Sequence, residues 1–188
     1  MLASLLALAV GAAALPQQTP LERPHRETRE EAGDLTQHVL TGTMSSVFPE
    51  GSDNAGKVVR PAVLTSGHPF ALMESHAPCH PDGALTFIQF PISLMTKNID
   101  AAHGSATYTL QTPLKEHRSE YGQPRAAFIG NLTTVYPDEK ERKRLEECFT
   151  QYHPDAKWWL PGDPKGAHVA RWARLDIQDI YYIGGFGT

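Results

Sequence analysis

The segment from Arg125 to Thr188 constrains the fold most, because strand, helix, turn and strand signals follow one another there without a gap. Arg125 to Val135 is rich in β-branched and apolar residues and is bounded by Pro124 and Pro137, which predicts a strand. Pro137-Asp138 then opens a helix, with Asp138 and Glu141 at capping-box spacing. Leu145, Cys148, Phe149 and Tyr152 fall at i, i+3, i+4 and i+7, one apolar stripe that needs a core to face. Pro154 ends that helix, since proline lacks the N–H and disfavours helix at the residue before it. His153 to Trp159 reads as a turn, and Ala167 to Ile183 is too long and too aromatic for a loop. It predicts a long strand, bent or interrupted between Asp176 and Asp179. The strand ends at Ile183-Gly184-Gly185-Phe186-Gly187, where the chain has to pass close to a neighbour.

Upstream, Glu27 to Leu40 predicts a helix, with Ala32, Leu35 and Val39 on one face and Gly42 as its stop. Strands are expected at Thr41 to Phe48, Lys57 to Ser66, Ala84 to Phe90 and Ala106 to Leu110. Pro61 marks the second of these as an edge or a bulge. Pro49 to Gly56 and Glu116 to Gln123 read as loops, and Pro91 to Ile99 as a helix with proline in its first turn. Six strands with short helices between them predict a mainly β barrel rather than alternating βαβ units. The 188 residues fit one domain, and 40% hydrophobic content suffices for a single core.

A net charge of −4 supplies no basic field for nucleic acid. The charged run from Glu139 to Glu147 reads as the solvated face of its helix. Leu2 to Ala14 is apolar but too short to span a bilayer. Residues 1–14 are read as a secretory signal, with Ala12 and Ala14 in the cleavage zone, and 15–26 as a flexible leader before a domain at 27–188. The expected address is therefore secreted or endolysosomal. In an oxidising compartment Cys79 and Cys148 can pair, although Cys148 on an apolar stripe also suits a free buried thiol. Asn131-Leu132-Thr133 is a glycosylation acceptor triplet that falls inside a predicted strand.

Several stretches together resemble the FMN-binding split-barrel (pyridoxamine-phosphate-oxidase-like) superfamily, and within it the secreted CREG-type proteins and haem-utilisation barrels. The resemblance runs from Glu27 to Gly187. It is carried by the opening helix with Gly42 to Ser46, the Gly67-His68-Pro69-Phe70 turn, Asp82 to Phe87, Ile92 to Ile99 and the final third. It implies a six-stranded split β-barrel that forms a homodimer and holds a planar ligand in the groove between subunits. It allows FMN, with haem less favoured, and equally allows no cofactor. An FMN phosphate would look to Ser93, Thr96, Lys97 and Asn98. Met95 stands where many flavin-binding relatives carry histidine, and CREG-type barrels are thought to fill that pocket with a loop. The same residues also read as an ordinary polar helix end, with Lys97 in solvent.

His68, His76, Cys79, His80 and Asp82 form the richest set of metal-ligand types, but no paired spacing joins them, and no metal is expected. His76 or His80 can instead line a ligand pocket. Ser66-Gly67-His68 is not a nucleophile elbow, and no cation flanks Cys79 to lower its thiol pKa. Trp158, Trp159 and Trp172 suit a core or a dimer interface better than a stacked cofactor. His153 and His168 each suit a helix cap or a ligand-facing position, His168 being the haem-side candidate. No general acid or base stands out. A binding protein is the first expectation, and a flavin or haem oxidoreductase the second.

Overall fold

The computed structural model describes residues 26–49, 67–114, 119–164, 166 and 168–185. In chain order these form α1 (Arg26–His38), β1 (Thr41–Val47), β2 (Pro69–Ala77), β3 (Leu85–Gln89), α2 (Leu94–Ala101), β4 (Ser105–Gln111), β5 (Arg125–Val135), α3 (Glu139–Tyr152) and β6 (Arg171–Ile183). The strands close into one antiparallel barrel in the order β1-β2-β3-β6-β5-β4. The mainly β barrel expected from the sequence is the fold.

The seams of the barrel are unequal. β5 pairs with β6 along its whole length from Arg125↔Ile183 to Val135↔Trp172, whereas β2 meets β3 only at His76↔Phe87 and Ala77↔Thr86. Pro69 to Ser75 therefore has no β3 partner, and the barrel is split along that edge. The β5–β6 seam carries a bulge, with Ile129 opposite Asp179 and Gly130 opposite Ile177, so that Gln178 is the extra residue. A methyl group on Gly130 would stand 2.1 Å from the Asp176 carbonyl oxygen, so only glycine lets the two backbones meet there. The expected irregularity between Asp176 and Asp179 is this bulge, and the strand runs through it.

Two apolar clusters hold the fold. Met44, Leu85, Phe87, Tyr108, Phe128 and Leu175 fill the barrel, closed by Ala32 and Leu35 of α1 and by Met95 and Ile99 of α2. Ile88, Leu145, Phe149, Ala156 and Trp172 form a second cluster between the barrel wall and α3. β3 is buried at every position because it is covered on both faces: Leu85 and Phe87 enter the first cluster and Ile88 the second. Leu145 and Phe149 of the predicted stripe are buried, with Cys148 and Tyr152 partly so. At the start of α3 the Asp138 carboxylate accepts the Glu141 N–H at 2.8 Å, while the Glu141 side chain turns to Arg144 instead of closing the box.

Some expectations are corrected. Gly67 to Phe70 is not a turn throughout: Pro69 is the first residue of β2, where a missing N–H costs no ladder bond. The strand expected at Lys57 to Ser66 lies outside the described residues, as do the signal and leader at 1–25. Gly42 does not stop α1 but sits within β1 opposite Glu74. The second helix begins three residues beyond Pro91, because Ser93 caps it. The last strand begins at Arg171 rather than Ala167.

Candidate functional site

The expected phosphate set lies at the first turn of α2. Ser93 is the N-cap: its Oγ accepts the Thr96 N–H at 3.1 Å and donates to Thr96 Oγ1 at 2.9 Å. Thr96 and Asn98 are only 2% and 3% exposed, and the Asn98 amide donates to Ser46 Oγ at 3.5 Å. Lys97 is half-buried between them. The cavity beside Ser93, Thr96 and Gln89 holds about 40 Å³, room for a water molecule. A flavin needs a site of roughly 300 Å³ or more. Within this one chain the Ser93 and Thr96 hydroxyls bond to each other and the Asn98 amide turns to Ser46, so Lys97 is the member of the set not committed to these contacts.

A larger space opens at the split. A cleft of about 380 Å³ lies between the part of β2 that β3 does not pair and the end of β3, under the C-terminus of α3 and the 3-10 turn at Pro154–Trp158. Met73, Ile88, Phe90, Phe149 and Trp159 form its apolar wall, and Glu74, His153 and Asp155 its ionisable groups. His153 is the C-cap of α3, and its Nε2–H donates to the His76 carbonyl at 2.7 Å, since a carbonyl can only accept. Its ring also packs against Phe149, with centroids 5.0 Å apart.

Glu74 borders both cavities. Burial pushes its carboxyl up to about 7, and among the described residues the side chain accepts no hydrogen bond and pairs with no cation. Behind it, fully buried His76 places Nε2 3.0 Å from the Thr36 carbonyl and Nδ1 3.0 Å from the Tyr108 hydroxyl. Burial lowers the His76 pKa to about 4 and raises that of the Tyr108 phenol. Glu74 has no sequence signal: nothing in Leu72-Met73-Glu74-Ser75 marks it, and only the splayed edge of β2 gives it this setting.

The other candidates disperse. His76 is a core residue, His68 and Asp82 are exposed, and among the described residues no group of three His, Cys, Asp or Glu side chains could hold a metal. Asp82 is instead bound by Arg174 at 2.5 Å, which holds its carboxyl below the usual range. Cys79 and Cys148 are joined in a disulfide with Cα atoms 5.8 Å apart, tying the β2–β3 connection to α3. Asn131 is half-buried in mid-β5, between Ser105 of β4 and Asp176 of β6. Trp172 is buried against Phe149, Trp158 is exposed, and Trp159 borders the cleft. His168 is exposed and meets the edge of Phe90. Across β1, β4, β5 and β6 the outer face forms a shallow groove of about 490 Å³, flanked by Met73 and Tyr181, which are 70% and 56% exposed.

The fold matches known structures. It superposes on a protein of unknown function from Agrobacterium tumefaciens with a TM-score of 0.62 and 21% identity, covering 92% of this chain and 63% of that one. A heme binding protein from Mycobacterium smegmatis gives 0.63 at 17% identity, covering 89% and 57%. An FAD-binding protein from Mesorhizobium loti gives 0.55 at 11% identity, covering 81% and 91%. The chain thus spans less than two thirds of the first two. A search of curated protein sequences finds no match. The family model described as "CREG, beta-barrel" matches residues 23–188. The chain belongs to the CREG β-barrel family.

Proposed function

We propose that this CREG-family barrel is a secreted or endolysosomal homodimer that acts by binding a small ligand in its β2–β3 split, not by flavin catalysis. The observation that carries this reading is the contrast between the two cavities. About 40 Å³ remains beside Ser93 and Thr96, against about 380 Å³ in the aromatic cleft. Heme and FAD binding in structural neighbours is consistent with a ligand-holding role for such barrels. Exposed Met73 and Tyr181 on the outer sheet support pairing with a second copy through that face. The apolar segment from Leu2 to Ala14 and the disulfide support passage through an oxidising compartment, where Asn131 becomes a glycan acceptor. Among the described residues no helix is long and apolar enough to cross a membrane.

The test is the protein secreted from a eukaryotic host. The expected product is colourless, twice the monomer mass in solution, and reduced in mass by an N-glycosidase. Absorbance in the flavin or Soret region, retained through purification, would instead favour the oxidoreductase reading.

A further inference from the structure

We infer that the cleft at the split takes an organic ammonium compound, an aromatic or apolar body carrying a protonated or quaternary amine. The inference rests on the split being the binding site and names the chemistry it selects. Among the described residues that line the cleft there is no lysine or arginine, and its acidic groups are Asp155 and Glu74, the latter charged above its raised pKa of about 7. The rings of Phe90, Phe149 and Trp159 supply the remaining wall. Aromatic faces with carboxylates beside them attract an ammonium group through ring quadrupole and charge together.

The same lining is acidic, so a flavin phosphate meets Asp155 and Glu74 here and a closed cap at Ser93 and Thr96. Glu74 strengthens the preference. It is half-buried, and among the described residues it pairs with no cation, so it is under-solvated and gains from a bound positive charge. At about 380 Å³ the cleft admits a substituted benzylamine with room to spare.

Benzyltrimethylammonium, uncharged N-benzylacetamide and FMN are titrated against the full-length protein by calorimetry and tryptophan fluorescence. Saturable binding of the cation, with N-benzylacetamide about tenfold weaker or worse, is the expected result. Glu74→Gln and Asp155→Asn, each checked for fold by circular dichroism, should each weaken the cation several-fold and leave the neutral probe unchanged. Trp159→Leu should weaken both. Equal affinity for the cation and N-benzylacetamide, or cation binding untouched by both carboxylate variants, overturns the inference. Saturable FMN binding without cation binding overturns it while keeping the split as a binding site. Binding of none of the three overturns both readings.

Discussion

The ring of His76 and the hydroxyl of Tyr108 meet at 3.0 Å in the core, with their rings crossed edge to face at 5.2 Å. The Thr36 carbonyl can only accept, so His76 Nε2 carries the proton, and Nδ1 of the neutral ring faces the hydroxyl. The Tyr108 hydroxyl has one proton to share between Nδ1 and the Glu74 carbonyl, 2.9 Å away, and these contacts join α1, β2 and β4. They lead from the lid of the barrel to the strand that borders the cleft.

Neutral His76 makes the fold acid-sensitive. Its folded pKa is about 4 against 6.5 unfolded, so as pH falls below 6.5 the unfolded chain takes a proton that the folded chain refuses. Stability from this group is complete above 6.5 and is lost progressively down to about 4, by about 3 kcal/mol. Urea unfolding of Glu74→Gln across this window should show the fall. A flat profile in that variant would contradict neutral burial of His76.

Glu74 has the opposite sign. Its folded pKa of about 7 lies above the ordinary 4.5, so the folded chain keeps a proton that the unfolded chain releases as pH rises. Stability is therefore greatest below 4.5 and declines towards pH 7. Glu74→Gln should stabilise the protein above pH 7 by about 1–2 kcal/mol, discounted for partial solvent exposure, and have little effect below 4.5. The two slopes oppose each other, so the parent protein should vary less between pH 4.5 and 6.5 than either His76→Gln or Glu74→Gln.

The Cys79–Cys148 bond closes a loop of 69 residues. Cys148→Ala, or reduction of the parent, should cost about 3–4 kcal/mol. Differential scanning calorimetry with and without reductant reads this as a lowered Tm, and equal Tm values would show the bond to be energetically idle.

Gly185 stands at φ +111°, and a methyl group there would meet the Gly122 carbonyl oxygen at 2.5 Å. Gly185→Ala should destabilise by about 1–3 kcal/mol, through left-handed strain and that close approach. Chemical denaturation against the parent at one pH checks it, and an unchanged midpoint would mean the strand end relaxes freely.

β5, α3 and the body of β6 were legible without the fold, because their signals sit within a few residues of each other. A proline brackets β5, Asp138 caps α3, and Leu145 and Phe149 recur one turn apart on its buried face. The glycine pair after Ile183 announced a close passage, and the neighbour is Gly122. β2 was not legible. Its Pro-Phe-Ala-Leu-Met-Glu-Ser-His-Ala run mixes helix formers and polar residues, and becomes a strand only through the ladder that β1 offers it.

The resemblance read from spaced motifs reached the family, because motif order survives where identity has fallen to about a fifth. Ser93, Thr96 and Asn98 have the right chemistry for a phosphate, and packing turns them inward to cap α2 and bond Ser46. Cysteine count permitted a pair, but only the docking of α3 beside the β2–β3 connection brings Cys79 and Cys148 within bonding distance. Local sequence thus determined β5, α3, the body of β6 and the family, since turns, caps and periodicity act over short stretches of chain. Tertiary structure alone decided the split, the cleft and the desolvation of Glu74, because each depends on where β2 parts from β3.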